Sequence, residues 1–338
     1  MEKARIIVFS GDCHPDYRWI EHCLSGHNIE LHFVRCAPSA ITRPFNPSYL
    51  MGAIRAVLLA RRVGASAVVA HGPTIAAWYG FVARVLRVRV PLLAHTFNFT
   101  NFPSLPQQRM LSLAYRVADI QRYVVYSSME RQLYAQAFGI PLLRFDVVLW
   151  GMDPPAMSTP GTPAEGGDYV CAIGGNSRDY QTLFETAIRL PQIRFVAVVR
   201  PDNLRGLQVP PNVIVRTNIP FEVAMNVLHY SKFMVLPLAG TQVPCGHATI
   251  VCAMQFGKAC VITDSAGVRD YAKNQINSLT VKYGSVDELV AAVVRLWNDP
   301  QLCAQLGENG QRFATAECGQ DHIARHFCNW LYENQLGT

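Results

Sequence analysis

The chain reads as α/β, with two doubly wound domains in tandem, each a parallel sheet with helices on both faces. Three observations predict this. Short β-branched runs alternate with helix-length amphipathic segments from one end to the other, the pattern of strand–helix–strand crossovers. A length of 338 residues exceeds what one hydrophobic core comfortably fills. Residues 153–168 hold four prolines and three glycines, a composition that stops both helix and central strand and marks a linker.

In the first half, strands are expected at 6–10, 31–36, 67–71, 90–95, 123–127 and 146–150. Helical spacing fills most of the intervals, as at 48–63 and 75–88. Beyond the linker, strands are expected at 169–173, 194–199, 213–217, 233–238, 259–263 and 279–282. Helices are expected at 180–190, 222–230, 249–256, 286–298, 301–315 and 321–332. The domains so divided are 1–152, the linker 153–168, and 169–318, with a C-terminal helix in 319–338 available to pack back on the first domain. Two such domains facing a central cleft place ligand sites at the carboxyl ends of their strands.

Composition narrows the function. Hydrophobic residues make up 50% and charged residues 16%, which excludes a disordered chain. No run of about 18 apolar residues survives unbroken, so no spanning helix is expected. The start, Met1-Glu2-Lys3-Ala4-Arg5, runs into a strand without the features of a secretory leader, and a cytoplasmic location is expected. The ten cysteines are scattered without a C-x-x-C pair, and Cys171, Cys252 and Cys260 lie in apolar runs, as reduced thiols do. Cys13, His14, His22 and Cys23 read as ordinary loop and helix residues, and no metal is expected. Charge is uneven: residues 1–157 hold 16 Lys and Arg against 9 Asp and Glu, whereas the remainder holds 14 against 15. A basic first half suits an anionic partner, a membrane inner face or an acidic acceptor. Arg55, Arg61, Arg62, Arg84 and Arg87 there interleave with Val57-Leu58-Leu59 and Val85-Leu86; a merely solvated outer face is the alternative. Nucleic acid is not expected, because the arginines are dispersed and no binding motif accompanies them. Neither domain opens with G-x-G-x-x-G, which argues against a dehydrogenase.

Four segments carry chemistry. In 233–263 a strand, a loop and a helix start at Gly246, His247, Ala248 and Thr249 offer free N–H groups and a positive dipole end to a phosphate; a tight turn with an ordinary cap fits equally. In 172–187 a strand meets Gly174 and Gly175 and then a helix, with Arg178 placed to offset a leaving diphosphate or to pair with Asp179. His95, followed by Thr96 and Asn98, ends a strand, where an imidazole can hydrogen-bond a ligand or relay a proton. His71, ending the preceding strand, reads as structural. After the first strand, Asp12 and Asp16 suit either a ligand hydroxyl or a turn and cap.

Further stretches occur in a familiar order: Ala118-Asp119, Val124-Val125-Tyr126-Ser127, Trp150-Gly151-Met152-Asp153, residues 173–187, and Ala253-Met254-x-x-Gly257-Lys258-x-x-Val261-Ile262. From about residue 118 to 315, and more loosely back to residue 6, the chain resembles the retaining glycosyltransferase family 4. That family has the GT-B fold of two Rossmann-like domains. The resemblance implies transfer of a hexose-type sugar from an NDP-sugar to a glycan or lipid-linked acceptor hydroxyl, with retention, no metal and no cofactor beyond the donor. It implies His95 as the catalytic residue, beneath the donor sugar. Gly174, Gly175, Arg178 and Gly246 to Thr249 would surround the diphosphate, Asn218 and Ile219 the base. Asp12, Asp16, Thr96 and Asn98 would lie on the acceptor side. The chain departs from the family where two glutamates are usual, reading Pro244 and Cys252. The usual arginine of the diphosphate loop is Gly175, and Arg178-Asp179 stand at the usual lysine. An NDP-sugar epimerase and a non-catalytic partner of another transferase remain open alternatives.

Overall fold

Each of the twelve expected strands forms, and all pair in parallel in two six-stranded sheets. The structure, a computed structural model, describes residues 3–10, 24, 28–36, 47–99, 102–157 and 165–333. Asp12, Asp16, Cys13, His14, His22, Cys23 and residues 158–164 of the proline-rich stretch lie outside the described residues. The chain divides into two units, Met1–Val148 with Gln320–Thr338, and Leu149–Gly319.

In the first unit the strands are β1 (Ala4–Ser10), β2 (Ile29–Arg35), β3 (Ala67–His71), β4 (Leu92–His95), β5 (Arg122–Val125) and β6 (Phe145–Val147). Their order is β2-β1-β3-β4-β5-β6. Helices α1 (Pro47–Val63), α2 (Pro73–Val85), α3 (Leu105–Ala118) and α4 (Ser128–Phe138) pack on one face through Ala53, Val57, Tyr79, Tyr115 and Phe138. Both faces of β3 and β4 are buried, so these strands read as unbroken apolar runs up to their terminal histidines.

In the second unit the strands are β7 (Val170–Ile173), β8 (Phe195–Val199), β9 (Val213–Thr217), β10 (Phe233–Leu236), β11 (Cys260–Thr263) and β12 (Leu279–Val281), ordered β12-β11-β10-β7-β8-β9. The order reverses between β7 and β10, which opens a crevice at their carboxyl ends. Helices α5 (Tyr180–Arg189), α6 (Phe221–Tyr230), α7 (His247–Gln255), α8 (Val286–Asn298) and α9 (Pro300–Glu317) cover the two faces. The final helix, α10 (Gln320–Glu333), belongs to the first unit. Its Ile323, Phe327, Trp330 and Leu331 bury against Ile6, Val69, Leu93 and Val124, on the sheet face opposite α1–α4.

Several strands stop short of their expected ends, for local reasons. Pro237 has no N–H to continue the β10 ladder. Ser127, expected in a strand, instead caps α4 by accepting from the Glu130 N–H at 3.2 Å. The Trp150 N–H, expected in β6, donates to the Tyr271 hydroxyl at 2.7 Å. Conversely, α7 starts at His247, two residues early, because Gly246 at φ 101° supplies the left-handed N-cap. No helix among the described residues is long and apolar enough to cross a membrane.

The crossing of α2 and α3 depends on Gly80, where an added Cβ would sit 2.4 Å from the Ala118 Cβ and carbonyl oxygen. Gly80→Ala is therefore expected to destabilise the first unit by about 1–3 kcal/mol through overpacking. Urea unfolding should show this as a lower midpoint at unchanged slope.

Candidate functional site

In the second unit, every strand runs in one direction, so the loops after β7, β8, β9 and β10 emerge at one edge of the sheet. The loop after β7 is a double-glycine turn. Gly174 has φ 120°, and a Cβ there would meet the Arg178 Nη2 at 2.6 Å and Nε at 3.0 Å. The guanidinium thus lies close against the turn. Its Nη1 donates to the Asn176 carbonyl at 2.6 Å and to Cys245 Sγ at 3.5 Å, and its Nη2 to Thr249 Oγ1 at 3.1 Å. The Nε–H is buried without a partner. Asp179 does not pair with it: its carboxylate caps α5, accepting from the Thr182 N–H at 3.0 Å and hydroxyl at 2.7 Å. The ion pair weighed from sequence is therefore replaced by a helix cap and a bridge from Arg178 to the start of α7.

Gly175 has a similar neighbour that sequence reasoning missed. A Cβ there would lie 2.5 Å from Cγ of Arg200, in the loop after β8, and Asn203 donates to the Gly175 carbonyl at 3.0 Å. An arginine at the carboxyl end of an expected strand was the available signal. Facing both, α7 begins at Gly246 without a side-chain cap, leaving N–H groups of its first turn for a ligand. The His247 side chain is turned inward, 5% exposed, with Nε2 2.8 Å from the Gly267 carbonyl and its ring stacked on Tyr271, so the imidazole is held in the core.

Asn218 and Ile219 follow β9 on the same edge, with Asn218 at φ 53°. Since β9 is the second neighbour of β7, strand spacing puts them about 10 Å along the sheet from the glycine turn. Where the resembled family has glutamates, Pro244 lies between β10 and α7, and Cys252 is 2% exposed against Met152 Sδ at 3.2 Å. Burial pushes the Cys252 thiol up to about 12, so it is a neutral hydrophobe here.

In the first unit, His71 and His95 end β3 and β4 in register, with ring centroids 5.2 Å apart. His95 is 7% exposed and its Nδ1 lies 2.9 Å from Thr96 Oγ1, which also accepts from the Tyr126 hydroxyl at 2.9 Å. Those contacts hold Thr96, a β-branched residue, at φ 56°. Asn98 donates to Glu130, a fully buried carboxyl that also accepts from the Tyr126 N–H at 3.0 Å, the Ser127 hydroxyl at 3.0 Å and the Tyr134 hydroxyl at 3.2 Å. Glu130 was not singled out from sequence, although Ser127-x-x-Glu130 has the spacing of a helix-start capping pair.

Burial, reinforced by His71 and His326, holds the His95 pKa well below the ordinary imidazole value, so the ring is neutral. Burial likewise lowers His71 from 6.5 to about 4. Between those values the unfolded chain binds more protons than the folded one, so stability falls as pH drops from 6.5 toward 4. From pH 7 to 5, His71 alone is expected to remove about 2 kcal/mol, with His95 adding in the same direction. Urea titrations at the two pH values should show the loss, and His71→Gln should flatten it.

Residues 174–299 match the family model of Glycosyl transferases group 1. None of the curated proteins compared with the chain matches it. Among solved structures, sucrose-phosphate synthase (tll1590) from Thermosynechococcus elongatus superposes with a TM-score of 0.75 at 14% identity, covering 99% of this chain and 100% of that one. Anabaena Alr3699/HepE in complex with UDP-glucose gives a TM-score of 0.72 at 15% identity, over 97% of this chain and 99% of that one. The lipopolysaccharide outer core galactosyltransferase WaaB gives 0.65 at 14% identity, with coverage of 97% and 99%. At such identities the likeness establishes the fold, and the matched domain supplies the class. The second unit is built around a group 1 glycosyltransferase domain, the chain as a whole has the GT-B fold, and the protein is a glycosyltransferase.

Proposed function

We propose that the protein transfers a hexose-type sugar from a nucleoside-diphosphate sugar to an acceptor hydroxyl, retaining the anomeric configuration. The observation that carries this reading is the turn at Gly174 and Gly175, with the Arg178 guanidinium against the first glycine and the Arg200 stem against the second, beside the uncapped start of α7. The bond from the anomeric carbon to the diphosphate breaks, and the departing charge falls to Arg178, Arg200 and the α7 N–H groups rather than to a metal. The acceptor oxygen then bonds the same face of the sugar and passes its proton to the departing diphosphate oxygen. Asn218 and Ile219 hold the base. His95, neutral and fixed by Thr96, hydrogen-bonds the transferring sugar, with Thr96 and Asn98 on the acceptor side.

UDP among the ligands of similar structures makes UDP-sugars the first donors to test. The basic first half supports a glycan or lipid-linked acceptor at the anionic inner face of a membrane, reached from the cytoplasm. The side chains of Pro244 and Cys252 favour one rival, a non-catalytic donor-binding partner.

A thermal-shift screen of UDP, GDP, ADP and TDP sugars identifies the donor. Against the nucleotide so found, Arg178→Ala is expected to lose about 1.5–3 kcal/mol of binding in calorimetry while staying folded. Gly174→Ala should lose affinity by displacing the same guanidinium. Unchanged affinity in both would remove this turn from the donor site.

His95→Ala is expected to lower kcat more than nucleotide affinity, because the ring acts at the sugar. The kcat of the unaltered enzyme should show no inflection near pH 6.5 from this residue. Donor binding with no transfer to any acceptor would favour the non-catalytic rival.

A further inference from the structure

The outer surface of the first unit carries two adjoining hollows between α2 and α3, both lined by Val117. One is an apolar groove of about 360 Å³, lined by Trp78, Phe81, Met110 and Leu113 among others. Phe81 is 47% exposed and Leu113 63%. The other is a cavity of about 680 Å³ at the carboxyl ends of the two helices, lined by Tyr79, Arg84, Arg87, Arg89 and Asp119 among others. Among the described residues, none of those three guanidinium groups has an ion pair or hydrogen bond, and Asp119 pairs with none of them. Tyr79 is 1% exposed, and its hydroxyl is buried without a hydrogen-bond partner.

We propose that these two hollows form one binding site for an anionic phospholipid. An acyl chain lies in the groove, and the phosphate sits among Arg84, Arg87 and Arg89. The two halves call for one amphiphile. A free anion would leave the groove to water, and an apolar peptide would leave three guanidiniums unpaired. Arginines at the carboxyl end of a helix also offset its dipole. That accounts for Arg84, in the last turn of α2, whereas Arg87 and Arg89 lie beyond it. The proposal rests on the membrane-surface part of the functional reading and is independent of sugar transfer.

The test uses the full chain with vesicles of phosphatidylcholine alone, or of equal parts phosphatidylcholine and phosphatidylglycerol. Sedimentation is expected only with the second, falling steeply with added salt. Arg84→Gln, Arg87→Gln and Arg89→Gln together should weaken partitioning about 100-fold. Phe81→Ser with Leu113→Ser should weaken it about 10-fold with every charge in place. The α1 pair Arg61→Gln and Arg62→Gln should change it far less per charge removed. Acyl chains brominated near their ends should quench Trp78 fluorescence in the unaltered protein, and Trp78→Phe should remove that quenching. Absence of binding at low salt, an equal loss per charge in the α1 pair, or unquenched Trp78 would each overturn the site. Trp78 quenching reads the unaltered chain, so a variant that fails to fold does not spare the proposal. Nucleotide binding by the same preparations reports separately on the transferase reading.

Discussion

The Arg178 guanidinium can lie across the turn after β7 because Gly174, at φ 120°, has no Cβ in its way. Much of the donor edge follows from that contact. From there the guanidinium reaches the Asn176 carbonyl on one side and Thr249 on the other, so the β7 loop and the start of α7 are tied across the crevice. The Tyr180 hydroxyl fixes the turn from below, donating to the Gly174 carbonyl at 2.6 Å. The charge is thus in position before any ligand arrives, and little side-chain freedom remains to be lost on binding. Gly175 lets Arg200 approach from the next strand in the same way.

The first unit solves a related problem with aromatic packing. Phe97, fully buried, is ringed by Phe99, Tyr115, Tyr123, Tyr134, Phe138 and Phe145 at centroid distances of 4.9–6.3 Å. That anchor lies between Thr96 and Asn98, whose side chains meet Tyr126 and Glu130. Rigid apolar contacts on the central residue balance the strained backbone beside it. His95 is thereby presented at the strand end in one neutral form.

The fold was legible because buried parallel strands must be apolar on both faces, and runs such as 67–71 and 195–199 have no other reading once flanked by turns. The donor edge was legible in part, since glycines before a helix start mark a place where backbone must approach something closely. Arg200 and Glu130 were not. Each acts through a partner distant in sequence, Gly175 for one and Asn98 for the other, and periodicity carries no record of such pairings. Cys252 shows the converse: its place in an apolar run foretold a buried, neutral thiol, yet not what does the work of the carboxylate usual there.

The assignment of α10 to the first unit bears on how the protein is made. One face of the first sheet is covered by α1–α4 as those segments leave the ribosome. The other face, including Ile6, Val69, Leu93 and Val124, is not closed until Phe327, Trp330 and Leu331 have been synthesised. The second unit needs nothing beyond Gly319 to complete its own core. Synthesis therefore finishes the later unit first and leaves the earlier one half-clad in the meantime, an interval in which a chaperone has an apolar sheet face to shield.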